Sequence, residues 1–262
     1  MTILSAGVMR VAHRTSLSLL AIAALLSGCG TKDAADPLQP GPQGRVRLVT
    51  LITDTTRGRV NAILESLPFG VNLTYGGTTP SSLPAPATGI YSPILTGTRS
   101  LVLKRTGDTT ATVATFPLTV ANATDYTVYA IGGVGASAVT SFITTDTNST
   151  PAVGTVRVRV VHLSPTAGNV DLFVTAVGAD LAVATPTLSN VAYRGNAYLP
   201  AVTAGTYQVR AVPAGTAPAS RAASVSINLA SIALPANGAR TIVAADNNVG
   251  GAPLRFISYT DR

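Results

Sequence analysis

Thr155-Val156-Arg157-Val158-Arg159-Val160-Val161-His162-Leu163 decides the fold. Val156, Val158 and Val160 alternate with Arg157, Arg159 and Val161. Successive side chains of a strand point to opposite faces, so residues two apart share a face. The pattern therefore puts the three valines in a core and Arg157 and Arg159 on the solvent side of a sheet. Long stretches of helical periodicity are absent from the chain, which is rich in short Val/Thr/Ile/Tyr runs broken by Gly, Pro and Asn. That is the signature of an all-β sandwich or barrel.

Downstream of this strand, Gly168-Asn169 turns into Val170 to Val174. Tyr198-Leu199-Pro200 leads through Ala204-Gly205 into the alternating run Thr206 to Arg210. Thr241 to Ala244, apolar and β-branched, reads as a central strand. Asp246-Asn247-Asn248 and Gly250-Gly251 mark a loop before a last strand at Leu254 to Tyr259. About seven strands in roughly 105 residues is the density of an immunoglobulin-like antiparallel sandwich.

The same pattern occurs upstream. Arg45 to Leu64 matches Thr155 to Val174 at an offset of 110, which aligns Val46, Arg47, Gly58 and Val60 with Val156, Arg157, Gly168 and Val170. Tyr126 to Ala130 matches Arg240 to Ala244, and Phe142-Ile143 matches Phe256-Ile257, both at an offset of 114. Preserved order at a nearly constant offset predicts two tandem sandwich domains, residues 45–148 and 154–262. The join falls at the turn-rich Asn148-Ser149-Thr150-Pro151.

The second copy resembles the DUF4397 family, a bacterial domain of unknown function found in exported proteins. The resemblance rests on Val158-Arg159-Val160-Val161-His162-Leu163-Ser164-Pro165 followed by Asn169 to Val174, on Asn190-Val191-Ala192-Tyr193, and on Tyr198-Leu199-Pro200 with Ala204 to Val209. The first copy has Ile52-Thr53-Asp54-Thr55 in place of His162-Leu163-Ser164-Pro165 and reads as diverged. The resemblance implies a β-sandwich and an envelope setting. It supplies no catalytic or binding residues.

Ahead of the first copy, Arg10, His13 and Arg14 form a basic region, followed by an apolar run from Leu17 to Leu26. Leu26-Ser27-Gly28 then precedes Cys29, the only cysteine. Charged region, apolar region and small-residue cleavage site are the parts of a secretory signal peptide. Spanning a bilayer takes about 20 apolar residues, roughly twice this run. The arrangement resembles a bacterial lipoprotein signal, with residues 1–28 removed and Cys29 carrying lipid. Several acyl chains anchor durably where one binds marginally. Gly30 is compatible with sorting to the outer membrane. Residues 29–44, with Pro37, Pro40 and Pro42, read as a semi-extended tether.

The formal net charge is +7; without Arg10 and Arg14, 16 of the 18 basic residues remain against 11 acidic ones, leaving +5. These charges are spread out, which argues against nucleic acid as partner. Arg157, Arg159 and Arg210, read as outward-facing, are the residues expected to contact a polyanion or glycan. After removal of the leader His162 is the only histidine, so no two-histidine metal site exists within the chain. Ser164 follows His162 by two residues and Asp171 is close in sequence, but strand neighbours run parallel and do not assemble a hydrolytic triad. Asp246-Asn247-Asn248 lacks the spaced acidic ligands of a calcium loop and reads as turn chemistry. No metal or cofactor is expected. The chain is expected to be a membrane-anchored envelope lipoprotein with a non-catalytic binding, adhesive or structural role. An unidentified envelope protein or polysaccharide is the expected partner, a polyanion- or glycan-binding module the alternative, and a hydrolase the weakest reading.

Overall fold

The computed structural model describes residues 41–54, 59–79, 90–133 and 138–262. Cys29, with Leu26, Ser27 and Gly28 before it, lies outside the described residues, as does Gly58. Over the described residues the fold is all β, apart from one 3-10 turn at Pro218–Ser220.

The first half contains β1 (Gln43–Ile52), β2 (Val60–Leu64), β3 (Leu67–Leu73), β4 (Ser92–Leu95), β5 (Gly97–Arg105), β6 (Asp108–Val120), β7 (Asp125–Gly132) and β8 (Val139–Asp146). They form two sheets, ordered β4-β1-β7-β8 and β3-β2-β5-β6. The second half contains β9 (Thr155–Leu163), β10 (Val170–Thr175), β11 (Leu188–Val191), β12 (Asn196–Tyr198), β13 (Val202–Thr203), β14 (Gly205–Pro213), β15 (Ile227–Leu234), β16 (Ala239–Ala245) and β17 (Arg255–Thr260). Its sheets run β12-β9-β16-β17 and β11-β10-β14-β15, so the two halves repeat one strand order. The strand β16 lies between β9 and β17, the central position expected of Thr241 to Ala244.

Each half closes its own core. Val46, Leu48, Leu101, Leu103, Leu118 and Val128 are among the buried residues of the first. Val156, Val158, Val160, Leu172, Val209 and Ile242 are among those of the second, so the three valines lie inward. A third core joins the halves. Val49, Leu51, Tyr129 and Ile131 pack against Val161, Leu163, Val243, Ala245 and Tyr259. The sheets containing β1 and β9 therefore meet face to face, giving four stacked layers in one compact unit, residues 42–262.

Three expectations change in detail. Pairing is antiparallel except for β1 with β7 and β9 with β16, which are parallel. Parallel strands sit where both faces are covered, and both faces of β1 and β9 are buried from their second or third turn of alternation onward. Gln43 and Gly44, assigned above to the tether, belong to β1. A Cβ on Gly44 would stand 2.5 Å from the Ala121 carbonyl oxygen, so this strand entry needs glycine. Finally, Arg47 pairs in register with Thr127, and Arg159 with Thr241. The structural counterpart of Arg47 is thus Arg159, not Arg157. The two-residue shift is even, so it leaves the in–out alternation unchanged.

Candidate functional site

The seam between the two inner sheets holds the densest polar chemistry. Arg47 and Arg159 each have about 1% of their surface exposed. Arg47 Nη2 donates to Asp261 Oδ1 at 2.7 Å, crossing from the first half to the second. Arg159 Nη1 donates to Asp146 Oδ1, crossing the other way. Within each half a threonine completes the link. Thr127 Oγ1 accepts from Arg47 Nε at 3.2 Å and donates to Asp146. Thr241 Oγ1 accepts from Arg159 Nε at 3.1 Å and donates to Asp261 Oδ2 at 2.7 Å. The halves therefore exchange aspartates in a reciprocal pattern, as an isologous dimer interface would. Tyr91 donates to Asp146 Oδ2 at 2.7 Å, and its ring lies under the Arg47 guanidinium, 4.7 Å away.

Burial opposes the charge on Arg47, but Asp261, Tyr91 and Tyr129 together outweigh it and hold the pKa above its ordinary value. Burial likewise opposes the charge on Arg159, and Tyr129 and Asp146 raise its pKa past that effect. Both guanidinium groups stay charged, and their donors are committed to the seam.

This corrects the expected polyanion contact. Arg159 is not on a solvent face, because the first half covers it. Arg157 shares that face but lies nearer the join, half-buried, with Nη1 donating to the Thr147 and Ser149 carbonyls at 3.0 Å each. It ties down the connection between the halves. Arg210 sits on β14 in the outer sheet, between the core residues Val209 and Ala211, and faces away from the seam. Its Nη2 donates to Thr175 Oγ1 at 2.9 Å and to the Ala179 carbonyl at 2.7 Å. Burial pushes the Arg210 pKa down, against a smaller opposing effect of Asp180. The three arginines lie on opposite sides of the second sandwich and form no common patch.

His162 and Ser164 are buried at the end of β9. His162 Nε2 lies 2.7 Å from the Gly168 carbonyl, and Nδ1 accepts the Ser164 backbone N–H at 3.4 Å. The ring therefore carries its proton on Nε2 and spans the loop after β9. Burial lowers the His162 pKa, against smaller opposing effects from Gly168 and Asp246. The Ser164 hydroxyl donates to Asp246, not to His162. Asp171 accepts from the Asn190 and Gly215 backbone N–H groups instead. Asp246 rather than His162 takes the serine hydroxyl, and this cluster fixes a loop. Asp246 also accepts from Thr166 Oγ1 at 2.7 Å and from the Gly251 N–H at 2.9 Å, so its oxygens serve the turn. Among the described residues no group of three His, Cys, Asp or Glu side chains is placed to hold a metal ion.

Two open clefts flank the seam. One, of about 690 Å³, is lined by residues including Arg45, Asp125, Asp146 and Asn148 at the end where Pro42 leads into β1. Its exposed charges are paired: Arg45 binds Asp125 through two bonds, at 2.7 and 2.5 Å. The other, of about 490 Å³, lies at the opposite end and is lined by Ile52, Asp54, Arg59, Thr74, Tyr75, Asn248 and Arg255. Tyr75 crosses the seam there and donates to the Asp246 carbonyl at 2.5 Å.

The sequence reading missed Arg47, Asp146, Asp261, Tyr75 and Arg255. One signal for the aspartates was present: each half closes on a Thr-Asp pair, Thr145-Asp146 and Thr260-Asp261.

Residues 44–173 match the family described as "Domain of unknown function (DUF4397)". The matched stretch covers the whole first sandwich and continues through β9 into β10. It therefore includes the copy read above as diverged, together with the His162 to Pro165 run. Among solved structures, the chain is similar to CBMbc, a family CBM26 domain of Eubacterium rectale Amy13K in complex with maltoheptaose. Identity is 11% over 84% of this chain and 98% of that one, with a TM-score of 0.24. It is also similar to a candidate cell adhesion protein from Bacteroides fragilis, at 8% identity over 84% of this chain and 98% of that one, with a TM-score of 0.19. Superposition at this level does not extend to ligand or partner. A comparison with curated proteins finds none that matches.

Proposed function

We propose that this chain is a non-catalytic binding module held at the cell envelope by lipid on Cys29. In this reading residues 1–28 are a signal peptide and residues 29–44 begin with the lipidated cysteine and its tether. Two copies of one β-sandwich, 45–148 and 154–262, follow. The observation that carries it is the reciprocal exchange of Asp146 and Asp261 between the halves. It commits Arg47, Arg159, Asp146 and Asp261 to structure, while at the end of β9 Asp246 rather than His162 takes the Ser164 hydroxyl. It also fixes the two sandwiches so that Asp54 of the first and Asn248 of the second line one cleft at the end opposite Pro42. A body tethered at one end and presenting loops at the other suits contact with a partner, since loops on a rigid scaffold commonly carry recognition. Fold alone does not name that partner.

The anchoring half of the proposal is tested on protein from native envelope. Mass spectrometry is expected to find an acylated N-terminal Cys29 and no residues 1–28, with Cys29→Ser shifting the chain to the soluble fraction. An unmodified thiol, or a retained leader, contradicts it. Purified chain is further expected to show no turnover in a broad hydrolase screen; activity lost in Ser164→Ala would contradict the non-catalytic half.

A further inference from the structure

The two clefts differ in one respect. At the tether end, Asp125 takes both Arg45 and the Asn148 side-chain amide, so cation and anion satisfy each other. At the far end, Arg59 and Arg255 line one cleft, and among the described residues neither has a carboxylate within ion-pair distance. Arg59 immediately precedes β2 in the first sandwich, and Arg255 opens β17 in the second. Both are exposed. Arg255 lies over the Tyr75 ring, 5.7 Å from its centre, and Tyr75 is itself fixed through the Asp246 carbonyl. Among the described residues the Arg59 side chain has one weak hydrogen bond, 3.4 Å to the Asn72 side chain. Asp54, Asn248 and Thr74 supply oxygen and amide groups on the same walls.

We infer that this cleft binds an acidic saccharide, with Arg59 and Arg255 on a uronate carboxylate and Asn248 and Thr74 on ring hydroxyls. The lining chemistry selects that class. Guanidinium forks match carboxylates and phosphates alike. The neutral donors and acceptors have no role with inorganic phosphate, but they match the hydroxyl-rich remainder of a sugar. An apolar ligand finds only Ile52 and the stacked Tyr75. The cleft opens away from Pro42, toward whatever surrounds a tethered module. The inference deepens the binding role proposed above and moves it from Arg157, Arg159 and Arg210 to a site assembled from both halves.

The test is titration calorimetry on the detergent-solubilised full-length chain. The probes are trimers of galacturonate and of glucuronate, the neutral galactose trimer, and inorganic phosphate. At least one uronate trimer is expected to bind about tenfold more tightly than the neutral trimer and phosphate, the scale of one charge-assisted hydrogen bond. Arg59→Gln and Arg255→Gln are each expected to weaken binding about tenfold, and the double variant to abolish it. Their thermal stability should be unchanged, because both side chains are exposed. The inference is overturned if neither uronate binds, if neutral trimer or phosphate binds as well, or if the double variant binds normally. Should it fail while Cys29 is found acylated, only this ligand assignment falls and the envelope role stands.

Discussion

Arg47 and Asp261, 214 residues apart in the chain, meet at 2.7 Å in a setting almost closed to water. The equivalent pair, Arg159 and Asp146, runs in the reverse direction between the same two sandwiches. Removing two charges from water is costly, and only good geometry with further hydrogen bonds offsets it. Thr127, Thr241, Thr144 and Tyr91 provide those further bonds.

Stranding one member of either pair is therefore expected to be far worse than removing both. Asp261→Ala or Asp146→Ala leaves a buried guanidinium uncompensated and should cost about 3–5 kcal/mol. Arg159→Met combined with Asp146→Leu should cost much less than either single change. Urea unfolding of the four proteins checks this. A single aspartate deletion costing under about 1 kcal/mol, the range of exposed pairs, would contradict the burial of the network.

Tyr129 shows the opposite situation. Its ring is fully buried in the seam, yet among the described residues its hydroxyl has no hydrogen-bond partner. A buried hydroxyl without a partner is destabilising by about 1–3 kcal/mol. Tyr129→Phe keeps the packing and removes the unpaired group, so it should raise stability by about 1 kcal/mol. A loss of stability in the same urea experiment would show that the hydroxyl has a partner.

His162 makes stability depend on mild acid. Its pKa lies below the ordinary 6.5, chiefly through burial. Below that pH the unfolded chain takes up a proton that the folded chain resists, so folding weakens as pH falls. The melting temperature should decline as pH falls below 6.5, before ordinary carboxylates titrate. His162→Gln should flatten that decline. An equal decline in the variant would assign it to another group.

The tyrosines act at the other extreme. Burial pushes the Tyr75 phenol up to about 12, and raises Tyr91, Tyr129 and Tyr259 as well. Above pH 10 the unfolded chain gives up phenolic protons that the folded chain keeps, so stability is lost as pH rises. Phenolate absorbance should then appear together with unfolding. Phenolate formation well before loss of β-sheet circular dichroism would mean these rings are accessible in the folded state.

The alternation at Val156, Val158 and Val160 was legible because it needs only the strand's own geometry. The fate of Arg157 and Arg159 was not. Alternation says which side of a strand a residue takes, not whether that side meets water. The first sandwich covers Arg159 and only partly covers Arg157, and that covering is non-local. Val161 and Leu163, buried on the arginine side of β9, were the available hint. For the same reason His162 and Ser164 drew attention to Asp171 nearby, while the true acidic contact is Asp246, 82 residues away. The shift from Arg157 to Arg159 as counterpart of Arg47 escaped notice because an even slip leaves every inward residue inward.

The display role depends on the two sandwiches behaving as one body, and differential scanning calorimetry tests that most directly. Reciprocal aspartates and the shared core of Val49, Tyr129, Val161 and Val243 predict a single transition, with calorimetric and van't Hoff enthalpies equal. Two separable transitions, or a van't Hoff enthalpy near half the calorimetric value, would mean that the sandwiches unfold independently and that the seam does not lock them.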